Sequence, residues 1–518
     1  MEAEAATSAV PDARARGGRA ARQRQRSAGS TAIIAGVERQ TPVYEILGEE
    51  GLTRIEAHAD RILQEIGIEF RGDPEALGLW KAAGCDVKGD LVRFAPGHLR
   101  QILASAPRSF TQHARNPARS VTIGDNSVVL APAYGSPFVS DLEGGRRYGT
   151  LNDFENFVKL AYAIPWLHHS GGTSCEPVDV PVNKRHLDMV AAHLRYSDKP
   201  FMGAVTAESR AEDSIEMARL VFGAEFVDRY CVILGNINAN SPLVYDATMT
   251  GALRAYARAN QCAVIVPFIL GGAMGPVTTA GAIAQSLAET MAGCALTQLV
   301  RPGCPVIFGN FLSSMALRSG APTFGTPEPA LGSLIIGQLA RRLKLPLRCS
   351  GAFTSSKIAD AQAMSESVMS MMAAVQCGAN FILHSAGWLE GGLVMGYEKF
   401  ILDADFCGAL HTWMKGVTLD DNQFAFDAFR EVGPGKHFFG CAHTMANYEH
   451  AFWDSDVADN NSFEQWRDAG GSSATERASL RAKKLLASYE RPPMDPGVDE
   501  ALTDFVARRK REAPDQWY

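Results

Sequence analysis

From Leu167 onward the chain repeats one unit, a short run of apolar or small residues followed by a longer helical segment. The runs begin near Leu167 (LHHSGG), Lys199 (KPFMGAV), Cys231 (CVILGNI), Ala263 (AVIVPFILGG), Pro305 (PVIFGNF), Leu347 (LRCSGAF), Asn380 (NFILHSAG) and His437 (HFFGCAH), at offsets of 32, 32, 32, 42, 42, 33 and 57 residues. The gaps hold helical patterns such as Asn183 to Tyr196, Ser209 to Val221 and Asp360 to Val375. Strands buried on both faces read as continuous apolar runs, and parallel pairing requires a crossover helix between them. Eight such units over residues 166–452 predict an α/β fold, a (β/α)8 TIM barrel. An open doubly wound sheet competes, but it does not call for eight evenly spaced units, and the glycine fingerprint for a dinucleotide is missing.

The flanks have a different texture. Residues 1–30 are Ala, Arg, Gly and Ser with almost no large hydrophobes, the composition of a disordered, solvated tail. Residues 40–165 read as an N-terminal helical cap, with Ile55, Ala59, Ile62 and Ile66 on one face, followed by a β-hairpin. The hairpin pairs Val121 and Ile123 with Val128 to Leu130 around Gly124, Asp125 and Asn126, and Tyr134 lies in the loop beyond it. Residues 453–518 predict a C-terminal helical extension, helical from about Ser473 to Tyr489, that packs on the barrel or on a second subunit of a homo-oligomer.

Charge and cysteine usage narrow the class of function. A net charge of -7 over 518 residues argues against nucleic acid as the main partner. Ten cysteines without a C-x-x-C pair fit a reducing compartment. The most apolar stretch, Ala263 to Met274, is broken by Pro267 and falls short of the roughly 18 to 20 residues a membrane span needs. The arginines near the start are not followed by an apolar signal core, so the expectation is a cytoplasmic protein without a membrane partner.

In such a barrel the site is built at the C-terminal ends of the strands. The polar and aromatic residues there are His168, His169 and Glu176; Asn236 and Asn238; Arg318 and Phe324; Arg348, Ser355 and Lys357; His384, Trp388 and Glu390; and His443. The four histidines could converge on zinc, but no cysteine stands at ligand spacing and no metal site is expected. Trp388 and Glu390, set among small residues, offer an indole face and a carboxylate to a permanent cation; equally, they could be a core residue and a helix cap. Arg348, inside an apolar strand, suits a fixed carboxylate receptor in the barrel mouth, with Arg318 in a Gly- and Pro-rich loop as the fallback. Lys357 could form a Schiff base but follows polar residues and reads as solvated.

The stretches RSGAPTFGTPEPAL (318–331), FTSSKIADAQA (353–363), FILHSAGWLEGGL (381–393), YEKFILDADFCG (397–408) and REVGPGKHFFGCAHTMANYEHAF (430–452) resemble the trimethylamine methyltransferase family, and the likeness extends from about residue 40 onward. The resemblance implies a TIM barrel that passes a methyl group from a methylated amine to the cobalt of a separate small corrinoid protein. The family's founding archaeal members carry pyrrolysine near strand six, whereas Leu347 to Lys357 holds only standard residues here. The resemblance therefore implies a quaternary amine, such as glycine betaine, proline betaine or carnitine, which is already a methyl donor with a neutral leaving group.

With cobalt(I) as the nucleophile the protein needs no nucleophile or base of its own, only a way to hold one N-methyl in line and exclude water. The expected substrate-binding set is Tyr134, Phe324 and Trp388 around the ammonium, Glu390 as counter-charge, and Arg348 with His384 on a carboxylate, with Arg318 in reserve. No D-x-H-x-x-G cobalamin motif occurs, so the corrinoid is expected on the partner, docked at the open face, with no cofactor held tightly by this chain. Alternatives are trimethylamine or another methylamine as donor, a barrel lyase or aldolase using Lys357, and a non-catalytic betaine-binding protein.

Overall fold

The computed structural model describes residues 33–517; the expectation for the tail of residues 1–30 lies outside them. The architecture is α/β. Its centre is a set of seven parallel strands: β1 (Ser127–Leu130), β2 (Phe201–Met202), β3 (Ile233–Ala239), β4 (Cys262–Gly271), β5 (Val306–Gly309), β6 (Leu347–Ser350) and β7 (Phe381–Leu383). They pair in the order β2-β3-β4-β5-β6-β7-β1.

Alternation along each strand sorts the side chains into two populations. Leu234, Val264, Val266, Ile307, Phe381, Leu383 and Val129 form one interior cluster. Ile233, Ile265, Phe308 and Leu347 belong to the second, larger cluster shared with the crossover helices. Gly309 marks where the backbones come closest: a Cβ there would lie 2.2 Å from the Ile265 carbonyl oxygen.

Six of the eight predicted strands are present as strands, and two expectations change. The run at His437 is no strand. Phe438 and Phe439 are exposed in a turn before the helix Ala442–Asn447, because an apolar run without a helix returning it to the sheet has nothing to pair with. The place beside β7 is taken by β1, which also forms the predicted hairpin with Val121–Gly124. The run at Leu167 lacks regular strand geometry, yet its backbone lies between the edges β1 and β2. The His168 N–H donates to the Leu130 carbonyl at 3.0 Å, Ser170 N–H to Pro200 at 2.8 Å, and Met202 N–H to Gly171 at 2.9 Å.

Side chains hold that segment where strand geometry does not. Lys199 is fully buried and its ammonium donates to the carbonyls of Ala161, Ile164 and Leu167 at 2.7, 2.9 and 2.6 Å. His168 Nδ1 accepts the Leu130 N–H, so its Nε2 donates to His411 Nε2 at 2.7 Å. His169 Nδ1 accepts from Gly171 N–H and its Nε2 faces Gln112 Oε1 at 3.2 Å. His193 Nδ1 lies 2.7 Å from Ser170 Oγ and its Nε2 donates to the Gly172 carbonyl. His168 and His169 each use Nδ1 to accept a backbone N–H, which only a neutral imidazole can do.

The predicted cap contains strands as well as helices. Helices Glu49–Arg61, Pro74–Ala82 and His98–Leu103 flank a small sheet of Val244–Asp246, Ile68–Arg71, Leu91–Arg93 and Asp86–Lys88. Ile55 and Ala59 are buried as the periodicity requires, but a π-turn at Ile62–Ile66 shifts the face, so Leu63 is buried and Ile66 is exposed. The C-terminal helix Ala474–Ala487, capped by Ser473 and Glu476, lies along Tyr397–Lys415. Among the described residues no helix is long and apolar enough to cross a membrane.

Two tests follow from this core. Lys199→Met removes the donor shared by three buried carbonyls and is expected to cost about 2–4 kcal/mol in urea unfolding. The buried histidines make the fold acid-sensitive. Burial holds His193 and His411 down to about 4, and His168 and His169 well below their ordinary range. Their stabilisation is complete above about pH 6.5 and declines as pH falls toward 4, because the unfolded chain takes up protons that the fold refuses. The expected loss is about 2 kcal/mol per histidine between pH 6.5 and 5, read from urea midpoints at the two pH values.

Candidate functional site

Arg348 is the interior residue of β6, in register with Gly309 on one side and Phe381 on the other, and is 1% exposed. Nη1 donates to the Asn310 carbonyl at 2.7 Å and to Ser350 Oγ at 3.1 Å, and Nη2 to His384 Nδ1 at 3.0 Å. Nε–H is buried without a partner among the described residues. Desolvation lowers the guanidinium to about 9, so it still carries its charge at neutral pH. His384, at φ 66° just past β7, accepts that hydrogen bond and is kept neutral by burial and by Arg348. On β3, Asn236 and Asn238 stand in register with Val264 and Val266; Asn236 is buried and its Oδ1 has no partner among the described residues, whereas Asn238 is exposed.

An aromatic wall stands beside the guanidinium. Trp388 packs against Phe353, His384, Phe324 and Phe311 with ring centroids 4.4, 4.6, 5.5 and 6.1 Å away. Phe311 joins the wall to Arg348, whose Cζ lies 5.4 Å from its ring centre, and Phe268 meets Phe311 edge-on at 4.9 Å. Gly391 (φ 64°) and Gly392 (φ 95°) let the chain turn tightly over the rings; a Cβ at Gly392 would lie 2.4 Å from the Trp388 ring. The Trp388 Nε1–H is buried without a partner.

A buried ion pair fixes the two central rings. Lys399 Nζ holds both oxygens of Asp403 at 2.5 and 2.6 Å and Ser367 Oγ at 2.8 Å. Asp403 Oδ2 accepts the Gly387 N–H at 2.9 Å, one residue before Trp388. The Ser367 hydroxyl donates to the Ala352 carbonyl at 3.2 Å, one residue before Phe353.

Phe324, Arg348, His384 and Trp388 are thus brought together. Tyr134 reaches the same interior cluster but not the aromatic wall; its hydroxyl is hydrogen-bonded to Thr173, and burial raises it to about 12. Glu390 is not beside the rings. It makes a two-toothed ion pair with Arg146 Nε and Nη2 at 2.8 and 3.2 Å in a partly exposed position, because the 3-10 turn Glu390–Gly392 faces the hairpin Phe138–Tyr148. Arg318 is exposed in a turn away from Arg348. Lys357 is exposed and donates to its near neighbour Ser355, as a solvated lysine does.

The histidines do not converge: His168 points to His411, His169 to Gln112, His384 to Arg348, and His443, half-buried, to the Asn422 carbonyl. Phe268, Phe311 and Phe353 were not singled out from the sequence. For Phe268 the signal was present, as it follows Val264 and Val266 at the inward period of two.

Residues 15–514 match the family model described as trimethylamine methyltransferase (MTTB). The chain is 41% identical over 476 residues to a glycine betaine methyltransferase of Desulfitobacterium hafniense, an alignment covering 92% of this chain and 99% of that one. It is 28% identical to a proline betaine:corrinoid methyltransferase of Eubacterium limosum over 86% of this chain and 94% of that one. It is 24% identical to a trimethylamine methyltransferase of Desulfitobacterium hafniense over 90% and 94%. Matched along nearly its whole length, this chain belongs to the trimethylamine methyltransferase family, whose members are methyltransferases.

Proposed function

We propose that this protein takes a methyl group from a quaternary ammonium that also bears a carboxylate, glycine betaine first among them, and delivers it to cobalt(I) of a corrinoid carried by a separate protein. One observation carries the choice of donor: a buried guanidinium with an unpartnered Nε–H stands against a wall of four aromatic rings. Glycine betaine has its two charges separated by a single methylene, so a receptor for each must be adjacent, as Arg348 and Phe311 are. The relatives' names point the same way, toward glycine betaine and proline betaine.

The same proposal places the site in the mouth of a closed barrel spanning β1 to β7, with the segment 168–171 as eighth member; its main-chain bonds to Leu130, Pro200 and Met202 support closure. The barrel then begins at the hairpin strand Ser127–Leu130 rather than at residue 166, with the cap before it and the C-terminal helices after it.

In this reading Arg348 takes the substrate carboxylate on its free edge, while the hydrogen bond from Nη2 to His384 fixes its plane. Phe311, Phe324, Phe353 and Trp388 receive the trimethylammonium through their ring faces and keep water from it. The corrinoid supplies the nucleophile. This chain's task is orientation: anchoring the carboxylate deep in the interior turns one N-methyl outward, in line with an acceptor at the open face.

Methylation of added cob(I)alamin, followed by its visible spectrum, tests the reading with glycine betaine, proline betaine, carnitine, choline and trimethylamine. Turnover is expected with glycine betaine and not with choline or trimethylamine, which lack the carboxylate. Arg348→Met is expected to raise KM for glycine betaine about 10- to 150-fold, the equivalent of one to two charge-assisted hydrogen bonds, with a smaller effect for Arg348→Lys. Equal use of trimethylamine, or an Arg348→Met enzyme with unchanged KM, would overturn the assignment.

A further inference from the structure

We infer that the site accepts a second class of methyl donor, sulfonium zwitterions with a carboxylate one carbon from sulfur. The type compound is dimethylsulfonioacetate, the sulfur isostere of glycine betaine. The inference rests on the proposed function for the place of the site and for the acceptor, and goes beyond it in the element from which the methyl is taken.

The wall is made of ring faces. Phe353, Phe324 and Phe311 lie with their centroids 4.4, 5.5 and 6.1 Å from that of Trp388. A ring face attracts a cation through its quadrupole, which responds to charge and distance and not to the atom that bears the charge. Reading nitrogen in particular would take a directional group, and the polar groups around the rings are engaged elsewhere. Glu390 is paired with Arg146 at 2.8 and 3.2 Å, and Asp403 with Lys399. Glu366 Oε2 accepts from the Thr354 hydroxyl and the Ser355 N–H, and His384 Nδ1 accepts from Arg348.

The buried polar atoms left without a partner among the described residues sharpen this. Arg348 Nε and Trp388 Nε1 are both N–H donors, which suit a carboxylate oxygen and not a cation. Two acceptors are also unpartnered, and neither belongs to the wall. Asn236 Oδ1 is on β3, three strands from Arg348 in the sheet order. Asn310 Oδ1 belongs to an amide whose nitrogen donates to Ser333 on the helix Pro327–Leu343.

A quaternary ammonium has no N–H, so this site distinguishes glycine betaine by two features: a methylated positive charge and a carboxylate one methylene away. Dimethylsulfonioacetate presents both at the same spacing. A lone pair replaces the third methyl, so it fits any space that glycine betaine fits. The step balances with the same acceptor: the S–CH3 bond breaks with its electron pair left on sulfur, and a Co–CH3 bond forms from the electron pair of cobalt(I), which is oxidised to cobalt(III). The other product is (methylthio)acetate. A thioether is a much weaker base than a tertiary amine, hence a better leaving group, and neither donor requires a proton from the protein.

Methyl transfer to added cob(I)alamin by the full-length protein tests this with glycine betaine, dimethylsulfonioacetate and trimethylsulfonium, each corrected for the rate without protein. Dimethylsulfonioacetate is expected to turn over with a kcat no lower than that of glycine betaine. Its KM is expected to be higher by about fourfold at most, the contact of one methyl. Trimethylsulfonium, as reactive but without a carboxylate, is expected to show no protein-dependent transfer. Trp388→Leu is expected to raise KM about 2- to 30-fold for both zwitterions and leave their ratio unchanged. Turnover of glycine betaine without dimethylsulfonioacetate would overturn this inference and leave the proposed function standing, whereas no protein-dependent turnover of either would overturn both. Transfer from trimethylsulfonium as fast as from dimethylsulfonioacetate would overturn the inference by showing intrinsic reactivity in place of recognition. A Trp388→Leu enzyme that loses glycine betaine alone would do so by showing that the wall reads nitrogen.

Discussion

The fold depends on holding one segment, residues 167–172, in a place that strand pairing alone does not secure. It lies between the two edges of a seven-stranded parallel sheet, and an uncovered edge is costly because its amides and carbonyls have no water to turn to in the interior. The residues there, LHHSGG, are poor strand formers. Their geometry comes from a buried lysine that gathers three carbonyls and from neutral histidines that each accept on one nitrogen and present the other to a partner. Burial depresses the histidines, so the charge that would take away their accepting nitrogens is disfavoured where it would form.

The site repeats this arrangement with charge retained. Lys399 and Asp403 are both almost fully buried, an association whose desolvation cost rivals its attraction and whose net contribution to stability is small. Its use lies in direction. Through Gly387 and through Ser367 with Ala352, one ion pair reaches the backbone just before Trp388 and just before Phe353, the two rings with the closest contact in the wall. Rings on two separate loops are thereby fixed relative to each other by polar bonds behind them, which leaves their faces apolar.

Much of this was legible in the sequence wherever periodicity decided it. The apolar runs at Cys231, Ala263, Pro305, Leu347 and Asn380 are strands because short continuous apolar runs bounded by turn residues and separated by helical segments suit a parallel sheet covered on both faces, and Arg348 is the one charge among them. The run at His437 misled because an exposed aromatic surface and a buried strand have the same composition; only pairing separates them. The strand that fills the place beside β7 was identified as half of a hairpin, and nothing local says that Val129 and Leu130 also pair with residues some 250 positions later. Glu390 was assigned by proximity in sequence to Trp388. The chain turns at Glu390 itself, whose φ of 50° is left-handed, and its carboxylate pairs with Arg146. Phe311 opens the short strand Phe311–Met315 after a break at Asn310, and Phe353 lies past the end of β6, so the alternation of the preceding strand does not predict the direction of either.

The placement of Glu390 matters for the chemistry proposed here. When a methyl leaves a quaternary ammonium, the nitrogen loses its positive charge, so any group that binds that charge strongly stabilises the starting state more than the transition state and slows the step. A carboxylate in the wall would do this in a low-dielectric interior, where a charge pair at contact is worth several kcal/mol. Aromatic faces hold the cation with about 0.5–2 kcal/mol each, enough to orient it and little enough to release it. The anchoring energy is better taken from the substrate carboxylate, whose charge does not change during transfer and whose interaction with Arg348 is therefore equal before and during the step. With Glu390 paired to Arg146, the proposed site would put strong binding on the unreactive end of the donor and weak binding on the reactive one.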